Sequence, residues 1–420
     1  MARRAGSADL PLHGGHVPKW LADRMTRLGA AMTQAIVLHY GRDEFLRRLA
    51  NPFWFQSFGA VMGMDWHSSG ITTSVIGALK RGLTPLQNEL GIFVCGGRGK
   101  HSRLTPHELL DTGDRIGFDG AALAQASRLV AKVDSAAVQD GFDLYLHGFI
   151  VTEDGKWTVV QQGMNGDARQ ARRYHWLSEG LKSFVDDPHT AIEGMGQGNI
   201  INLADHRAER SRRAQLDLLF SLGPDKIATE FAKLRTGGGV HKDREQFLLP
   251  HLIMPSHHDV RQSDVVARRL HGNLAAAADR GAADFPELLL TPGVGARTVQ
   301  ALAMVAEVMH GAPYRFNDPA RFSFAHGGKD RHPFPVPLKV YDETIGVLKS
   351  AVSNAKLGRE EELGALKRLD EQARRLEQRT SGPWVEELIT REMENSHAYD
   401  GRSVFGWETR GKSAATKRKA

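Results

Sequence analysis

The sequence predicts an α+β N-terminal domain with a small antiparallel sheet, followed by an all-α C-terminal domain. Three observations lead to this fold class. Two β-rich segments flank an Asp-Gly turn at residues 154–155, which is the strongest short-range signal for a β-hairpin. Apolar residues at helical spacing occupy much of the region before the hairpin. From residue 207 onward the pattern is almost wholly helical.

The composition is that of a globular protein. The 420 residues are 41% apolar and 25% charged, which favours two or three domains and excludes a disordered or fibrous chain. No apolar run of about 18 residues occurs, so no membrane span is expected. The first residues lack the apolar core of a signal peptide. The single cysteine, Cys95, cannot form a disulfide framework, and we expect a cytoplasmic protein.

The N-terminal domain is assigned to residues 1–190. Residues 20–38 carry apolar side chains at helical spacing, and an aromatic-rich segment over 45–64 is expected to be buried. Another short helix is predicted over 72–83. Strands are predicted over 91–95, 142–151 and 157–161, with helices over 104–110 and 121–137. The last two strands form the hairpin around the Asp-Gly turn.

A segment rich in Gly, Asp and Pro at 186–199 marks the predicted boundary. The helical domain is assigned to 200–400, and residues 401–420 are predicted to be a flexible basic tail. Residues 410–420 contain five of the cations and no acid, which leaves only +1 of the net charge of +6 for the remainder. The overall basicity is therefore weak evidence for a polyanion partner, and a nucleic-acid prediction must depend on local features.

The segment at 285–310 resembles a helix-hairpin-helix element, because two apolar helical patterns flank the sequence Pro-Gly-Val-Gly. Gly293 and Gly295 are expected to adopt positive φ, and Val294 is expected to point between the two helices. The second helix should begin near Arg297. Its first N–H groups would then be free to hold a phosphate oxygen, with Thr298 adding a hydroxyl donor.

A contact of this kind is made by backbone amides, so it would bind the sugar-phosphate chain of double-stranded DNA with little sequence specificity. The alternative is a tight turn between two core helices. Arg172 and Arg173 stand beside three aromatic residues, a combination that grips phosphates and stacks bases in nucleic-acid-binding proteins. A solvated surface face is the alternative for this pair. The sequence does not fix an oligomeric state, and a dimer is compatible with it.

Asp and His residues recur in pairs in the N-terminal domain. Asp65 and His67 lie in a glycine-flanked segment, and Asp143 and His147 are four residues apart on one predicted strand, so they should share a face. Carboxylate and imidazole ligands would suit a divalent metal, Mg or Mn, that activates water for phosphodiester hydrolysis. Asp65, His67 and Asp143 are the predicted catalytic residues, with His147 as a further ligand. Structural hydrogen bonds or helix caps are the alternative for each.

These features predict a DNA-binding protein that acts as a metal-dependent nuclease in DNA repair or recombination. Two alternatives remain. One is a DNA-binding protein without catalytic activity. The other is a helix-hairpin-helix DNA glycosylase-like enzyme in which Asp318, a helix and a short loop after the hairpin, would be catalytic.

Several segments, in order along the chain, resemble the prokaryotic domain-of-unknown-function family 763. They are RRAGSADLPLHGGHVPKWL, GMDWHSSGITTSVIGALKRGL, LYLHGFIVTEDGKW, TPGVGARTVQALAMVAEVMHG and FAHGGKDRHPFPV. The resemblance covers roughly residues 3–400 and implies a prokaryotic cytosolic protein. Together with the residues it suggests a nuclease-like domain joined to a DNA-binding helical domain. It supplies no catalytic residues, and the lysine-rich tail lies outside it.

Overall fold

The structure of the chain is a computed structural model. It describes residues 19–64, 70–168, 170–194, 196–236, 267–320, 346–353, 364–365, 402–403 and 406–407. The helices are α1 Lys19–Ala50, α2 Pro52–Val61, α3 Gly70–Leu83, α4 Gln87–Leu90, α5 Lys100–Ile116, α6 Gly120–Lys132, α7 Glu209–Ser221, α8 Pro224–Thr236, α9 Ala267–Arg280, α10 Phe285–Leu290 and α11 Ala296–His310. The strands are β1 Ile92–Arg98, β2 Val138–Gln139, β3 Asp143–Thr152, β4 Trp157–Asn165, β5 Gln170–Leu177, β6 Ala191–Glu193, β7 Asn199–Asn202, β8 Arg315–Asn317, β9 Arg402–Ser403 and β10 Gly406–Trp407.

The fold is mixed α and β, mostly helical, with antiparallel sheets. One sheet has five strands in the order β1-β3-β4-β5-β6, and a second has three in the order β2-β7-β8. The predicted hairpin between β3 and β4 is confirmed: Val151 pairs with Trp157, and Gly155 has a φ of 80° in the turn. A residue with a Cβ would be strained at that φ, which explains the glycine.

Helices cover both faces of the five-stranded sheet. Ile150 and Val160 pack in a cluster with apolar residues of α1, α2 and α3. Their neighbours Phe149 and Val159 point the other way and pack with residues of α5 and α6. This alternation is the two-residue period of a strand buried on both faces. As the aromatic composition of 45–64 predicted, every residue of α2 is buried.

The second cluster extends well beyond the sheet. It runs from Phe93 on β1 to Tyr314 after α11, and it includes buried residues of α7, α9, α10 and α11. Apolar side chains from both sides of the predicted domain boundary therefore share one core. The division into domains at 190–200 stays a prediction.

The expectation of an all-α second domain is wrong in one respect. β8 pairs with β7, and β7 pairs with β2, so a small sheet joins residues from before and after the predicted boundary. These strands have two to four residues each. Segments of that length are too short to show a two-residue period, so the sequence pattern missed them. Among the described helices, none combines the length and apolar character needed to cross a bilayer.

Candidate functional site

Helix α10 begins with a reciprocal cap. The Asp284 carboxylate accepts the Glu287 N–H at 2.8 Å, and the Glu287 carboxylate accepts the Ala283 N–H at 2.9 Å. This resembles a capping box, except that Glu287 accepts from the residue before the N-cap Asp284 rather than from the N-cap itself. Phe285, Leu288 and Leu289 are buried. The helix has only six residues, so the cap and these buried contacts hold it in place.

A tight turn follows α10. The Val294 N–H donates to the Thr291 carbonyl at 3.1 Å, with Pro292 and Gly293 at the two central positions. Gly293 has a φ of 87°, which is the type II pattern of proline followed by a left-handed residue. A Cβ on Gly293 would lie 2.5 Å from Asn273 Oδ1, so a side chain here would require the Asn273 side chain to move and would also be strained by the φ. Val294 is buried, as the sequence predicted.

Gly295 differs from the prediction. Its φ and ψ are −150° and −170°, an extended conformation open to any residue, so the expected positive φ is wrong at this position. A Cβ on Gly295 would meet nothing within 4 Å. Here the absent side chain leaves open space in front of the backbone rather than relieving strain.

Helix α11 begins next to that open space. The first intrahelical bond runs from the Val299 N–H to the Gly295 carbonyl at 3.1 Å, and no side chain caps this end of the helix. The amides of the first turn have no partner inside a helix, and the helix dipole makes this end positive. Arg297 lies half-exposed in the same turn. An anion can therefore approach the start of α11 past Gly295.

Thr298 does not face outward. Its side chain is 1% exposed, so the expectation of a hydroxyl donor on the outer surface is wrong. Every residue of α11 from Thr298 to Glu307 is buried. The middle of the helix therefore inserts into the core, and only its first turn and its last three residues, Val308 to His310, lie near the surface.

Lys132 at the end of α6 and Gln139 on β2 hold the α10–α11 turn. The Lys132 ammonium donates to the Val294 carbonyl, and the Gln139 amide donates to the Ala296 carbonyl at 2.8 Å. Burial lowers the pKa of Lys132. Sequence reasoning missed both residues and Asn273. Lys132 and Gln139 lie 162 and 157 residues from their partners, and no local pattern signals a contact at that separation.

Arg172 is buried rather than exposed. It lies on β5, which the sequence analysis did not identify as a strand, and its guanidinium is paired with Asp140 at 2.7 Å and Asp318 at 2.6 Å. The Phe142 ring lies 4.6 Å from the guanidinium carbon. The interpretation of Arg172 as a surface phosphate contact is therefore wrong. An arginine is kept inside a protein when carboxylates and hydrogen bonds compensate its charge.

Arg173 is also buried, so the same correction applies. Its guanidinium donates to Gln56 Oε1 at 2.9 Å and to His175 Nε2 at 3.0 Å. The other ring nitrogen of His175 then carries the proton and donates to the Leu49 carbonyl at 2.9 Å. Burial, with the nearby Arg173 charge, holds the pKa of His175 well below its usual value. These groups connect β5 to the helices on one face of the sheet.

Asp143 and His147 do not share a face. Asp143 pairs with Met164 and His147 pairs with Gln161, three residues apart on β4, because a β-bulge interrupts β3 between Leu144 and Leu146. One extra residue in a strand reverses which face the following side chains occupy. Asp143 is exposed, whereas His147 is buried. The predicted pair of metal ligands is therefore not brought together.

His147 belongs to a buried hydrogen-bonded chain. Its Nε2 lies 2.9 Å from Ser127 Oγ, and its Nδ1 lies 2.5 Å from Gln161 Oε1. The Gln161 amide donates to Asp134, which also accepts from Trp176 Nε1 at 2.9 Å and is bonded to His189 Nε2 at 2.5 Å. Burial lowers the pKa of His147. With both ring nitrogens occupied, His147 is not available as a metal ligand in this arrangement.

Asp65 and His67 lie outside the described residues. Within the part of the chain that the structure describes, three metal-ligating side chains converge at Asp187, Asp205 and His206. His206 Nδ1 lies 2.7 Å from Asp187, and both oxygens of Asp205 accept from Arg207. The arginine already neutralises Asp205, which leaves little charge to attract a cation.

Asp318 is fully engaged as an acceptor. Besides Arg172, its oxygens accept the N–H groups of Gln197 at 2.7 Å and Ala320 at 3.0 Å. A carboxylate with this many donors stabilises the fold and is not free to attack a sugar or activate a water. The arrangement gives no support to the glycosylase-like alternative.

Comparison with known proteins gives one match. Residues 6–336 match a family model described as "Protein of unknown function (DUF763)". No curated protein and no solved structure matches the chain.

Proposed function

The chain belongs to the DUF763 family, and we propose that it binds the sugar-phosphate backbone of duplex DNA through the α10–α11 pair. In this proposal α10, the type II turn and α11 act as a helix-hairpin-helix element. A phosphate oxygen occupies the open space in front of Gly295 and accepts hydrogen bonds from the amides that begin α11.

The open approach to an uncapped helix start carries the proposal. Pro292 and Gly293 are exposed, Gly295 has nothing within 4 Å of its Cβ position, and α11 continues for 15 residues behind it. The start of so long a helix has a favourable dipole for an anion. Val294 packs inward and Lys132 holds its carbonyl, so the amides need no rearrangement to meet a phosphate.

Because the proposed contact is made by backbone amides, it also determines how far binding depends on the DNA sequence. Amides bind phosphate oxygens equally well on any sequence, whereas base identity is read in the grooves by side chains. Arg297 lies in the same turn and adds a positive charge. The proposed activity is therefore sequence-independent binding of duplex DNA.

Metal-dependent cleavage in DNA repair or recombination stays a prediction. Of its predicted residues, Asp65 and His67 lie outside the described part, and Asp143 belongs to no group of three or more metal-ligating side chains within it. No specific observation favours that reaction over binding alone.

A valine at position 295 tests the proposal. Because Gly295 is extended and faces open space, Gly295→Val should fold normally but place a branched side chain where the phosphate would sit. We expect affinity for several unrelated duplexes to fall by about tenfold or more, to a similar degree for each, since a bidentate backbone contact to a phosphate is lost. Fluorescence anisotropy with labelled duplexes measures the change.

Gly166→Val is the matched control. Gly166 likewise has no neighbour within 4 Å of its Cβ position and no left-handed φ, but it lies in the turn after β4. Its substitution should leave affinity unchanged. Unchanged binding by Gly295→Val, or a loss confined to some sequences, would contradict the proposed contact.

A further inference from the structure

Two neighbouring stretches of the chain contain cations and no acid. Residues 91–107 include Arg98, Lys100 and Arg103, and residues 120–133 include Arg128 and Lys132. Neither stretch has an Asp or a Glu. Arg98, Lys100, Arg103 and Arg128 are all exposed. The acids of α5, Glu108, Asp111 and Asp114, all lie in its second half, so the strand end and helix start before them and the whole of α6 carry only cations.

The fold brings these cations to one surface. Helices α5 and α6 are joined by residues 117–119 and lie close together where Gly113 meets Gly120. They run antiparallel, so the start of α5 lies beside the second half of α6. Both helices pack on the same face of the five-stranded sheet, through Leu109 and Val130. Their exposed sides therefore face solvent in a common direction.

Contacts around His147 support this placement independently. Gly97, just before Arg98, pairs with His147 in the sheet, and Ser127, just before Arg128, bonds to the His147 ring at 2.9 Å. Arg98 and Arg128 therefore each come directly after a residue that contacts His147 on β3. One helical turn beyond Arg128, the Lys132 ammonium contacts the Val294 carbonyl of the α10–α11 turn. The cationic surface is continuous with the proposed phosphate contact.

Within the described residues, these four exposed cations also lack carboxylate partners. Some exposed cations elsewhere have carboxylate partners, such as Arg47 with Glu179 at 2.5 Å and Lys156 with Asp43 at 2.5 Å. In the described part of the chain Lys100, Arg103 and Arg128 form no ion pair, and Arg98 contacts only the Tyr145 ring, 5.9 Å from its guanidinium carbon. Polyanions bind to such surfaces by releasing counterions.

We infer that the exposed face of Arg98, Lys100, Arg103 and Arg128 is a second backbone-binding surface for the same DNA duplex. This inference rests on the proposed function and extends it. The α10–α11 turn holds one phosphate through amides, and the cationic face follows the duplex beyond it through long side chains. The footprint on DNA is therefore longer than a single hairpin could give.

Salt dependence tests this surface. Each phosphate contact contributes about 0.9 to the slope of log affinity against log salt, so Lys100→Gln/Arg103→Gln should flatten the slope by about two units. Affinity at low salt should fall roughly tenfold or more, on all sequences alike. Anisotropy titrations of the full chain with a random duplex over a KCl series give both quantities. Arg128→Glu provides a second, independent variant with the same direction of change.

Arg115→Gln/Lys182→Gln is the matched control, since both side chains are exposed cations and Arg115 lies at the far end of α5. Its slope should equal that of the unmodified protein. An unchanged slope for both cationic-face variants, together with lost binding in Gly295→Val, would overturn this inference and leave the proposed function standing. Absence of duplex binding by the unmodified protein would overturn both. A lower affinity and a flatter salt slope in the cationic-face variants, together with normal binding by Gly295→Val, would support this surface and overturn the amide contact.

Discussion

Asp134 shows what a single buried residue does in this fold. It is 0% exposed, and its carboxylate is bonded to Gln161, Trp176 and His189. It lies in a π-helical turn, Val133–Ala137, which directly continues α6. The strands β4 and β5 and the segment between β5 and β6, which contribute Gln161, Trp176 and His189, therefore meet at the Asp134 side chain.

Asp134→Ala should be strongly destabilising. It removes the Asp134 acceptor from three buried donors, and each lost bond of this kind costs about 1–3 kcal/mol, so we expect a loss above roughly 3 kcal/mol in the free energy of unfolding. Urea titration measures this quantity. Asp114→Ala, at an exposed position on α5, should change it by less than about 0.5 kcal/mol. Equal stability for the two variants would show that the network does not hold the core.

The sequence could predict some residue environments but not others. Val294 was expected to be buried because its type and its position between two glycines indicate it. Arg172 was expected at the surface because arginines usually are, and its carboxylate partners Asp140 and Asp318 lie 32 and 146 residues away. A buried ion pair has no periodic signature, so only the folded chain reveals it.

At the scale of elements, periodicity predicted long helices and the Asp-Gly hairpin because their signals are local. It failed at the bulge near Tyr145, because a single inserted residue leaves the apolar alternation of β3 intact on either side. The α10–α11 pair was predicted from its glycines. The contacts that fix this helix pair to the rest of the chain were not predicted, because no local sequence pattern identifies Lys132 and Gln139 as its partners.

Lys132→Met tests how the α10–α11 turn is held. Methionine keeps the apolar stem but loses the donor to the Val294 carbonyl, at a cost of about 1–2 kcal/mol. We expect faster amide hydrogen exchange over residues 291–299 and weaker duplex binding. Mass spectrometry locates the exchange. Lys233→Met, which removes an exposed cation paired with Glu230, should leave exchange in that segment unchanged, and unchanged exchange in Lys132→Met would contradict the role of Lys132.

At the scale of the molecule, one apolar cluster joins the sheet to α7, α9, α10 and α11. Sequence reasoning divided the chain at a segment rich in glycine and aspartate. The composition of a segment indicates local flexibility, but it does not indicate whether the segments on either side of it share a core. In the structure β6 lies inside that segment and β7 begins at its last residue, Asn199, so the connection between the two strands is short.

A shared core predicts that the sheet and these helices unfold together. Leu302 is fully buried on α11, and Leu302→Ala should cost about 2–5 kcal/mol. Tryptophan fluorescence, which includes Trp157 and Trp176 in the same cluster, and helical circular dichroism should shift to the same lower urea midpoint. Leu104→Ala, at a position 45% exposed, should shift neither. Separate transitions for the two signals would contradict a single cooperative unit.

Lys132 and Asp134 are separated by one residue. The side chain that grips the α10–α11 turn and the side chain at the centre of the buried network therefore belong to the same stretch of backbone. If the turn binds a duplex as proposed, a force on the turn would reach the buried network through Lys132 and the adjoining backbone.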